Sequence, residues 1–227
     1  MAGAGKRFKD KGYDLPKYKI LIKKKTMFEW ALTSLKNFFD KHFIFIALYD
    51  ENIASDFIKD KCKKLNIKKY DVILLDKITS GQAETVLKAE QYVEEDDFLI
   101  YNIDTYVKPS EINKKDIKGD GWIPCFKAVG NHWSFVKFNN KLKVNEVTEK
   151  IRISGYGTIG LYYFKSIDLF REAYTNYYKR KENTERYIAP IYNYLIKKKK
   201  TVYTTILDKN KIHVLGTPKE VMKFESR

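Results

Sequence analysis

Apolar runs of strand length alternate with helical patterns through the first half of the chain. The apolar runs cover residues 43–48, 71–75 and 98–102, and helical periodicity covers residues 53–65 and 81–93. Strands and helices that alternate at this spacing predict a mostly parallel sheet with helices on both faces. Ligands of such sheets bind beyond the carboxyl ends of the strands, so we expect functional residues there.

The second half of the chain predicts short strands joined by polar or glycine-containing connections, then two helices and a last strand. The predicted strands are residues 122–127, 133–138, 144–149, 157–164 and 201–206, and the predicted helices are residues 167–180 and 187–197. Thr217 and Pro218 are typical of the capped start of a short terminal helix. Because the chain has no internal repeat and no Gly/Ser linker, we expect one α/β domain over residues 1–227.

Composition narrows the class of protein. The 227 residues are 44% hydrophobic and 32% charged, which excludes fibrous, collagen-like and wholly disordered chains. No run approaches the roughly 18 apolar residues of a membrane helix, and the first five residues are too short for a signal peptide. We therefore expect a soluble, cytoplasmic protein without a membrane partner. Cys62 and Cys125 are too few for a disulfide framework or a zinc site, and we expect them to be buried small side chains.

The positive charge comes mainly from lysine. The chain has 44 Lys+Arg against 29 Asp+Glu, a net charge of +15, but only six of the basic residues are arginine. Proteins that bind nucleic acids rely on arginine for bidentate contacts, so this composition disfavours a nucleic-acid partner. Lysine runs at residues 23–25, 59–69 and 197–200 are typical of solvated faces. A basic surface would also attract an anionic substrate such as a nucleotide, and charge alone does not decide between these interpretations.

The first candidate motif lies at the beginning of the chain. Gly3 and Gly5 allow the backbone to approach an anion, and Lys6 and Arg7 beside them add charge-assisted hydrogen bonds. A frayed terminus is the commoner fate of such a segment, so the motif is weak by itself. Lys17 follows after a turn that contains a proline.

Three further motifs follow along the chain. Asp104 stands at the end of an apolar strand, where a carboxylate can hold Mg²⁺ or can simply end the strand in an Asx turn. Residues 80–83 join a strand to a helix, and they can either contact a base edge or cap the helix. Glu149 and Lys150 end another predicted strand, where a solvated ion pair is the simpler interpretation.

The order of these motifs resembles the nucleotidylyltransferase family, the sugar-1-phosphate and phosphocholine pyrophosphorylases. The matching segments are residues 1–8, Pro16 and Lys17, residues 81–83, Asp104, residues 146–150, Gly160 and residues 216–218. The resemblance implies a Rossmann-like glycosyltransferase-A fold, with a mixed, mostly parallel sheet flanked by helices. It also implies a nucleotide-binding half over residues 1–120 and an acceptor-binding half over residues 121–227.

The resemblance assigns roles to these positions. Nucleotide-binding residues would be Ala2, Gly3, Ala4, Gly5, Lys6, Arg7, Ser80, Gly81 and Gln82. Arg7 would neutralise the leaving pyrophosphate, Lys17 would stabilise charge on the α-phosphate, and Asp104 would bind Mg²⁺. Acceptor-binding residues would be Glu149, Lys150, Arg152, Gly160, Tyr187 and Asn193, although ordinary packing explains the last two and Arg152 equally well.

The implied reaction is attack of a phosphomonoester oxygen on the α-phosphorus of a nucleoside triphosphate, with release of pyrophosphate. Such a transfer depends mainly on positioning and electrostatics, and it requires no histidine base. Residues 131–154, 160–164 and 187–193 look most similar to bacterial capsule and lipopolysaccharide members of the family. This similarity implies CTP as the nucleotide, and phosphoglutamine, a sugar phosphate or phosphocholine as the acceptor. It implies no nucleic acid, and it allows an oligomer.

The chain departs from the family pattern in two places. Family members have a short apolar strand directly before the glycine loop, so we expect about five more apolar residues upstream of Met1. Without that strand, backbone groups of its neighbours would lack partners. Many relatives also have an aspartate where this chain has Val214. Asp208 or His213 could replace it, but we rank first a magnesium ion held by Asp104, phosphates and water.

Three other functions compete with this interpretation. A glycosyltransferase on the same fold would bind a nucleotide sugar without making pyrophosphate, but residues 102–104 lack its usual Asp-x-Asp motif. A basic nucleic-acid-binding protein would bind DNA or RNA in a salt-sensitive manner and would not need Asp104. A catalytically inactive relative with a scaffolding role is the third alternative.

Overall fold

The structure is a computed structural model that describes residues 1–3, 5–49, 53–93, 97–181 and 184–226. Ala4, which we predicted to contact the nucleotide, lies outside the described residues.

The chain forms two compact units. The first unit comprises Met1–Ile78, Asn102–Lys114 and Asn210–Arg227, and the second comprises Thr79–Tyr101 and Lys115–Lys209. The predicted division into a nucleotide half and an acceptor half at residue 120 concerns function, and it stays a prediction.

Seven α-helices occur in the described residues. They are α1 (Lys6–Lys9), α2 (Met27–Ser34), α3 (Ile53–Leu65), α4 (Gln82–Leu87), α5 (Ile167–Tyr178), α6 (Tyr192–Lys197) and α7 (Pro218–Glu225). Single 3₁₀ turns occur at Lys17–Lys19, Lys36–Phe38, Glu90–Tyr92, Pro109–Glu111, Lys114–Asp116, Ala189–Ile191 and Lys209–Lys211. Over the described ranges, none of the helices has the length and apolar character needed to cross a membrane.

The described strands are short. They are β1 (Leu21–Ile22), β2 (Lys25–Thr26), β3 (Phe43–Leu48), β4 (Tyr70–Leu75), β5 (Phe98–Tyr101), β6 (Thr105–Val107), β7 (Gly121–Trp122), β8 (Cys125–Lys127), β9 (Ser134–Phe138), β10 (Val144–Glu149), β11 (Tyr156–Thr158), β12 (Leu161–Phe164), β13 (Val202–Tyr203), β14 (Ile206–Leu207) and β15 (Ile212–Val214).

The first unit contains three strand pairs. β3 and β4 are parallel, whereas β1 pairs with β2 and β6 pairs with β15 in antiparallel ladders. Helix α3 buries Ala54, Ile58 and Cys62, which are spaced by four residues and therefore lie on one face. These side chains pack in one core cluster with Phe28 and Phe45, and the burial expected for Cys62 is confirmed.

The β1–β2 hairpin leads directly into α2. Its turn residues Lys23 and Lys24 both have positive φ, 47° and 66°, a conformation that favours Asn and Gly in two-residue hairpin turns. Thr26 caps α2 and forms a capping box with Glu29. The Glu29 carboxylate also lies 2.7 Å from the Nζ of Lys64 on α3, so this buried acid joins the two helices.

The second unit contains two sheets. One has the strand order β10-β9-β11-β8-β14, and the other has the order β13-β7-β12-β5. A core cluster that includes Ile123, Cys125, Phe164 and Phe170 lies in this unit, and the burial expected for Cys125 is confirmed. The chain passes from the second sheet to the first between β7 and β8, and again between β13 and β14.

The mixed α/β architecture predicted from the sequence is confirmed. Parallel pairing is limited to β3–β4, β7–β13 and β8–β14 among the described ladders, and the other pairs are antiparallel. The parallel share is therefore smaller than the alternation of elements predicted, because short connections such as the one between β9 and β10 can join only antiparallel neighbours.

Prolines and glycines divide several predicted elements. Pro124 separates β7 from β8, and Gly160, with φ of 75°, separates β11 from β12. Pro190 lies in a 3₁₀ turn, so the helix expected from residue 187 begins at Tyr192.

In the part of the chain that the structure describes, strands β3 and β5 are among the strands that pair on one side only. Among the described residues, β3 pairs only with β4 and β5 pairs only with β12. The additional strand expected upstream of Met1 stays a prediction.

Candidate functional site

Lys17 and Asp104, two residues predicted for the catalytic site, lie together in the first unit. The Nζ of Lys17 donates a hydrogen bond of 2.6 Å to the Oδ2 of Asp104. Lys17 begins a 3₁₀ turn after Pro16, and Asp104 directly precedes β6. The two side chains are 22% and 27% exposed, so a ligand can reach both.

Gly216 lies directly beside the Asp104 carboxylate. A side chain at Gly216 would place its Cβ 3.3 Å from the Oδ2 of Asp104 and 3.4 Å from the Oε2 of Glu220. The backbone N–H of Leu215 donates to the Asp104 carbonyl at 2.8 Å, which fixes the strand that carries the carboxylate. Gly216 thus keeps the space beside these two acidic groups free of a side chain.

This arrangement fits a magnesium ion that takes much of its coordination shell from phosphates and water. The described residues contain no group of three or more His, Cys, Asp or Glu side chains that could hold a metal ion. Mg²⁺ prefers oxygen ligands, and one or two carboxylates together with substrate phosphates commonly bind it. Asp104 supplies such a ligand beside the space that Gly216 leaves.

The candidates for a second metal ligand have different surroundings. The Cγ1 of Val214 lies 3.8 Å from the same Cβ position at Gly216, so an aliphatic group stands in this neighbourhood. The His213 ring stacks on Tyr106 at 5.7 Å and lies 4.7 Å from Phe224, within an aromatic cluster. Asp208 belongs to the second unit.

Sequence reasoning missed Glu220, whose carboxylate faces the space at Gly216. Its Oε2 accepts a hydrogen bond of 2.8 Å from the Thr217 hydroxyl at the start of α7. The signal for it is the capping-box spacing from Thr217 to Glu220.

The glycine-containing segment folds into a turn and a short helix. Gly5 has φ of 63°, and its carbonyl accepts from the N–H groups of Phe8 and Lys9. Phe8 is buried and anchors the segment, while Lys6 and Arg7 are exposed. The Cβ position of Gly5 lies 4.0 Å from the Cβ of Lys17.

Residues near the ends of this segment have different exposure. Ala2 is buried, whereas a Cβ at Gly3 would meet no atom within 4 Å. The backbone around Gly3 is therefore accessible on that side, as the predicted phosphate contact requires.

In the second unit, the loop predicted to contact the base crosses the backbone of Arg186. The N–H of Arg186 donates to the Ser80 carbonyl at 2.9 Å, and the N–H of Ala83 donates to the Arg186 carbonyl at 2.8 Å. A Cβ at Gly81 would lie 2.5 Å from the Arg186 nitrogen, and φ at Gly81 is 153°. Position 81 therefore requires glycine. Gln82 opens helix α4 directly after it.

Glu149 ends β10 in the same unit, and Lys150 follows it directly. The Glu149 carboxylate accepts a hydrogen bond from Ser134, and burial raises the pKa of Glu149 above its usual value. Lys150 has φ of 57°, a strained conformation for a residue with a side chain. Its Nζ donates to the Tyr187 hydroxyl at 2.5 Å, and this bond raises the pKa of Lys150. The structure thus brings two predicted acceptor residues together.

Glu185 completes this group and was missed by the sequence analysis. The Tyr187 hydroxyl donates to the Glu185 carboxylate. The sequence offers one signal, since Glu185 and Tyr187 flank Arg186 at alternate positions and extended backbone places alternate side chains on one side.

The remaining predicted acceptor residues have structural partners. Arg152 donates to the side chain of Asn131 and to three backbone carbonyls, at Ala128, Gly130 and Ser154. The Asn193 side-chain amide bonds both the N–H and the carbonyl of Val147, at 2.9 and 2.6 Å. Gly160 is buried between two strands. Acceptor contacts by these three residues stay predictions.

Comparison with known proteins finds similar solved structures. No family model and no curated protein matches it. The nucleoside-diphosphate-sugar pyrophosphorylase from Vibrio cholerae RC9 is 31% identical, with a TM-score of 0.91, and the match covers 100% of this chain and 98% of that chain.

Two more distant structures share the fold. The inositol-1-phosphate CTP transferase from T. maritima is 16% identical, with a TM-score of 0.80 over 99% of this chain and 92% of that one. A UTP-bound UGPase from Acinetobacter baumannii is 16% identical, with a TM-score of 0.70 over 99% and 90%. The Rossmann-like fold that the sequence resemblance implied is thereby confirmed.

Proposed function

Because the chain belongs to the nucleoside-diphosphate-sugar pyrophosphorylase family of nucleotidyltransferases, we propose that it transfers a nucleotidyl group from CTP to a phosphomonoester. An oxygen of the acceptor phosphate attacks the α-phosphorus, the bond to the bridging oxygen of the β-phosphate breaks, and pyrophosphate leaves. The observation that carries this proposal is the Lys17–Asp104 pair, which sets a phosphate-binding cation beside a metal-binding carboxylate.

Residues of the first unit supply the charge for the triphosphate. Lys17, on its short turn, stabilises the negative charge that gathers on the α-phosphate, and Arg7 neutralises the pyrophosphate. Backbone N–H groups around Gly3 and Gly5 bind phosphate oxygens. Such positioned charges account for most of the rate enhancement in phosphoryl transfer, because the reaction itself needs little covalent chemistry.

Asp104 would hold Mg²⁺ together with the phosphates of the nucleotide. The carboxylate is an oxygen ligand, and the absence of a side chain at Gly216 leaves room beside it. When bound, the metal would offset part of the triphosphate charge.

Residues of the second unit bind the base and the acceptor. Ser80, Gly81 and Gln82 contact the base, and Lys150 binds the phosphate of the acceptor. Glu149 accepts hydrogen bonds from the rest of that molecule, as a carboxylate can when it faces hydroxyl or ammonium groups.

The acidic groups bear on the choice of acceptor. Glu149 and Glu185 lie near Lys150, and four N–H groups of Arg152 are already bonded to the protein. These observations favour a hydroxyl-bearing acceptor such as a sugar phosphate over phosphoglutamine, whose carboxylate needs a cation. The narrower function expected from the sequence, a CTP:phosphoglutamine cytidylyltransferase of cytoplasmic capsule biosynthesis, therefore ranks below transfer to a sugar phosphate.

Pyrophosphate release tests the function directly. The protein is incubated with Mg²⁺ and each of CTP, UTP, GTP, ATP and dTTP, against sugar 1-phosphates, glycerol 3-phosphate, phosphocholine and phosphoglutamine. We expect release with one nucleotide and one acceptor, and loss of that release in Asp104→Ala. Consumption of a nucleotide sugar without pyrophosphate, or salt-sensitive nucleic-acid binding that is indifferent to Asp104, would contradict the proposal.

A further inference from the structure

The segment that carries Glu185 and Tyr187 is held at several points within the second unit. Both backbone groups of Arg186 are bonded to the Ser80–Ala83 loop. The Tyr187 carbonyl accepts a hydrogen bond of 2.7 Å from the hydroxyl of Tyr178 on α5, and Ile188 is buried in the core. The position of the Tyr187 side chain is therefore set by the folded unit.

The hydrogen bonds of the Tyr187 hydroxyl have a defined direction. A phenol has one proton, and in this structure it points to the Glu185 carboxylate, which can only accept. The phenol oxygen therefore accepts from Lys150, whose Nζ lies 2.5 Å away. The same Nζ is 4.7 Å from the centre of the Tyr187 ring, so a cation–π contact acts in the same direction.

Such a restraint on the Lys150 side chain favours phosphate binding. It is exposed, and its long side chain would lose rotamer freedom on binding a phosphate. An ammonium group has three N–H donors, and the bond to Tyr187 uses one of them. The other two stay available for phosphate oxygens at a position fixed in advance, which lowers the entropic cost of binding.

We propose that Glu185 is a positioning residue for the acceptor: through the Tyr187 hydroxyl, it holds the Lys150 ammonium where the acceptor phosphate binds. This inference rests on the proposed function, in which Lys150 contacts that phosphate. The carboxylate also repels phosphate, so its role must be separated from the effect of its charge.

Three variants test this role in steady-state kinetics, with the nucleotide and acceptor that the pyrophosphate-release assay identifies. Glu185→Ala removes the acceptor of the phenol proton, Tyr187→Phe removes the hydroxyl but keeps the ring, and Glu185→Gln keeps a hydrogen-bond acceptor without the charge. We expect the first two to raise the acceptor KM about tenfold, the range of one hydrogen bond to a charged group. The KM for the nucleotide stays within about twofold, and Glu185→Gln stays within about twofold of wild type.

The double variant Glu185→Ala/Tyr187→Phe shows whether the residues act through the same bond. We expect its acceptor KM to equal that of Tyr187→Phe, because the second change removes nothing further. Thr184→Ala is the matched control, at the residue directly before Glu185. It deletes an exposed hydrogen bond to the Lys181 carbonyl and should change neither KM.

A measurement of the pKa of Lys150 tests the same contact without relying on the activity of a variant that folds poorly. Tyr187 raises the pKa of Lys150, so NMR titration of the Lys150 ammonium should show a lower pKa in Tyr187→Phe.

Unchanged acceptor KM in Glu185→Ala and Tyr187→Phe, with a raised acceptor KM in Lys150→Met, would overturn the positioning role and leave the proposed function intact. An unchanged acceptor KM in Lys150→Met would instead overturn the proposed role of Lys150. A raised KM in Glu185→Gln equal to that in Glu185→Ala would assign the effect to charge and would also overturn positioning.

Discussion

The ammonium group of Lys17 lies 2.6 Å from a carboxylate oxygen of Asp104, although 87 positions separate the two residues in the chain. Each charge lowers the electrostatic cost of holding the other at a partly buried place. Under the proposed function, a phosphate bound to Lys17 would lie within reach of a cation held by Asp104. This relationship makes Asp104 the residue whose loss should be most informative.

Asp104→Asn should abolish most turnover and leave the fold intact. Loss of one positioned charge in a phosphoryl-transfer site lowers the rate by about 10²–10³-fold, and Asn preserves the size of the side chain. Pyrophosphate release measures the rate, and circular dichroism measures the fold. Asp71→Asn is the control, because the Asp71 carboxylate also contacts a nitrogen-bearing side chain, that of His42 at 2.8 Å, but has no proposed role in the reaction. Equal losses in the two variants would contradict the assignment.

Val214→Asp should lower the Mg²⁺ concentration needed for half-maximal activity. Val214 stands beside the space at Gly216 that Asp104 also borders, so a carboxylate there adds a second oxygen ligand. We expect a shift of about tenfold, which corresponds to roughly 1.4 kcal/mol. Val214→Asn adds a side chain with the shape of aspartate but without its charge, so it should give a smaller shift in the Mg²⁺ requirement. An unchanged Mg²⁺ requirement in Val214→Asp would show that this position does not face the metal.

Gly81→Ala should raise the KM of both substrates. The added Cβ would overlap the Arg186 backbone at 2.5 Å. It would therefore displace both the loop that we propose to contact the base and the neighbouring Tyr187. We expect increases of about tenfold or more, since both hydrogen bonds between the loop and Arg186 are strained. Gly155→Ala is the matched control, because a Cβ there would meet no atom within 4 Å. A change limited to the nucleotide KM would mean that the two regions respond independently.

Glu149, which is half-buried, and Glu29, which is buried, should change stability with pH in opposite directions. Burial raises the pKa of Glu149 above 4.5, so its contribution to stability is present below that pH and is lost as the pH rises. Burial also opposes the charge of Glu29, but bonds from Lys64 and Thr26 outweigh it and lower the pKa of Glu29 below 4.5. The contribution of Glu29 is therefore present above that pH and is lost as the pH falls.

Thermal unfolding of Glu149→Gln and Glu29→Gln between pH 3 and 7 measures this difference. At pH 7 we expect Glu149→Gln to melt above wild type and Glu29→Gln to melt below it, each by a few degrees, because 1 kcal/mol shifts Tm by about 2–4 °C at this chain length. Both differences should shrink as the pH falls, and the difference for Glu149→Gln should shrink first, because the raised pKa of Glu149 protonates it at a higher pH than Glu29. Parallel curves for the two variants would contradict the opposite shifts.

The hairpin turn at Lys23 and Lys24 offers a stabilising change. Both residues adopt positive φ, which costs a residue with a side chain roughly 1–2 kcal/mol, whereas Asn-Gly suits this turn. The double variant Lys23→Asn/Lys24→Gly should therefore raise Tm by about 2–4 °C, as expected for a net gain of about 1 kcal/mol. Lys25→Gly, in the following strand, should lower Tm, since glycine weakens a strand. A lower Tm in the double variant would show that the turn is not strained.

Local patterns were sufficient to predict the longer elements. Helix α3 and strands β3 and β10 match their predicted ranges because each has a continuous apolar or periodic pattern. Short elements such as β1 and β6 were missed, because strands of two or three residues hold too few positions to show a period. Their pairing comes from distant chain segments, as in the ladder between β6 and β15.

The candidate site was predictable where a motif carries the chemistry. Lys17, Asp104, Lys150 and Tyr187 were named from sequence, and the structure brings them together in pairs. Glu185 was missed because its contribution depends on the contact of Tyr187 with Lys150, 37 positions away in the chain, and on the direction of a phenol proton. Neither property leaves a periodic trace in the sequence.

The first unit is assembled from three stretches of chain, and the last of them begins at Asn210. Strand β6 gains its partner β15, and the Asp104 carbonyl gains its bond to Leu215, only from a stretch that follows all of the second unit in the chain. On the ribosome, domains generally fold as their segments emerge, but this unit must wait until that stretch has been made. A chain that stops before residue 212 would therefore lack the backbone anchor of Asp104, although it would contain every residue of the second unit.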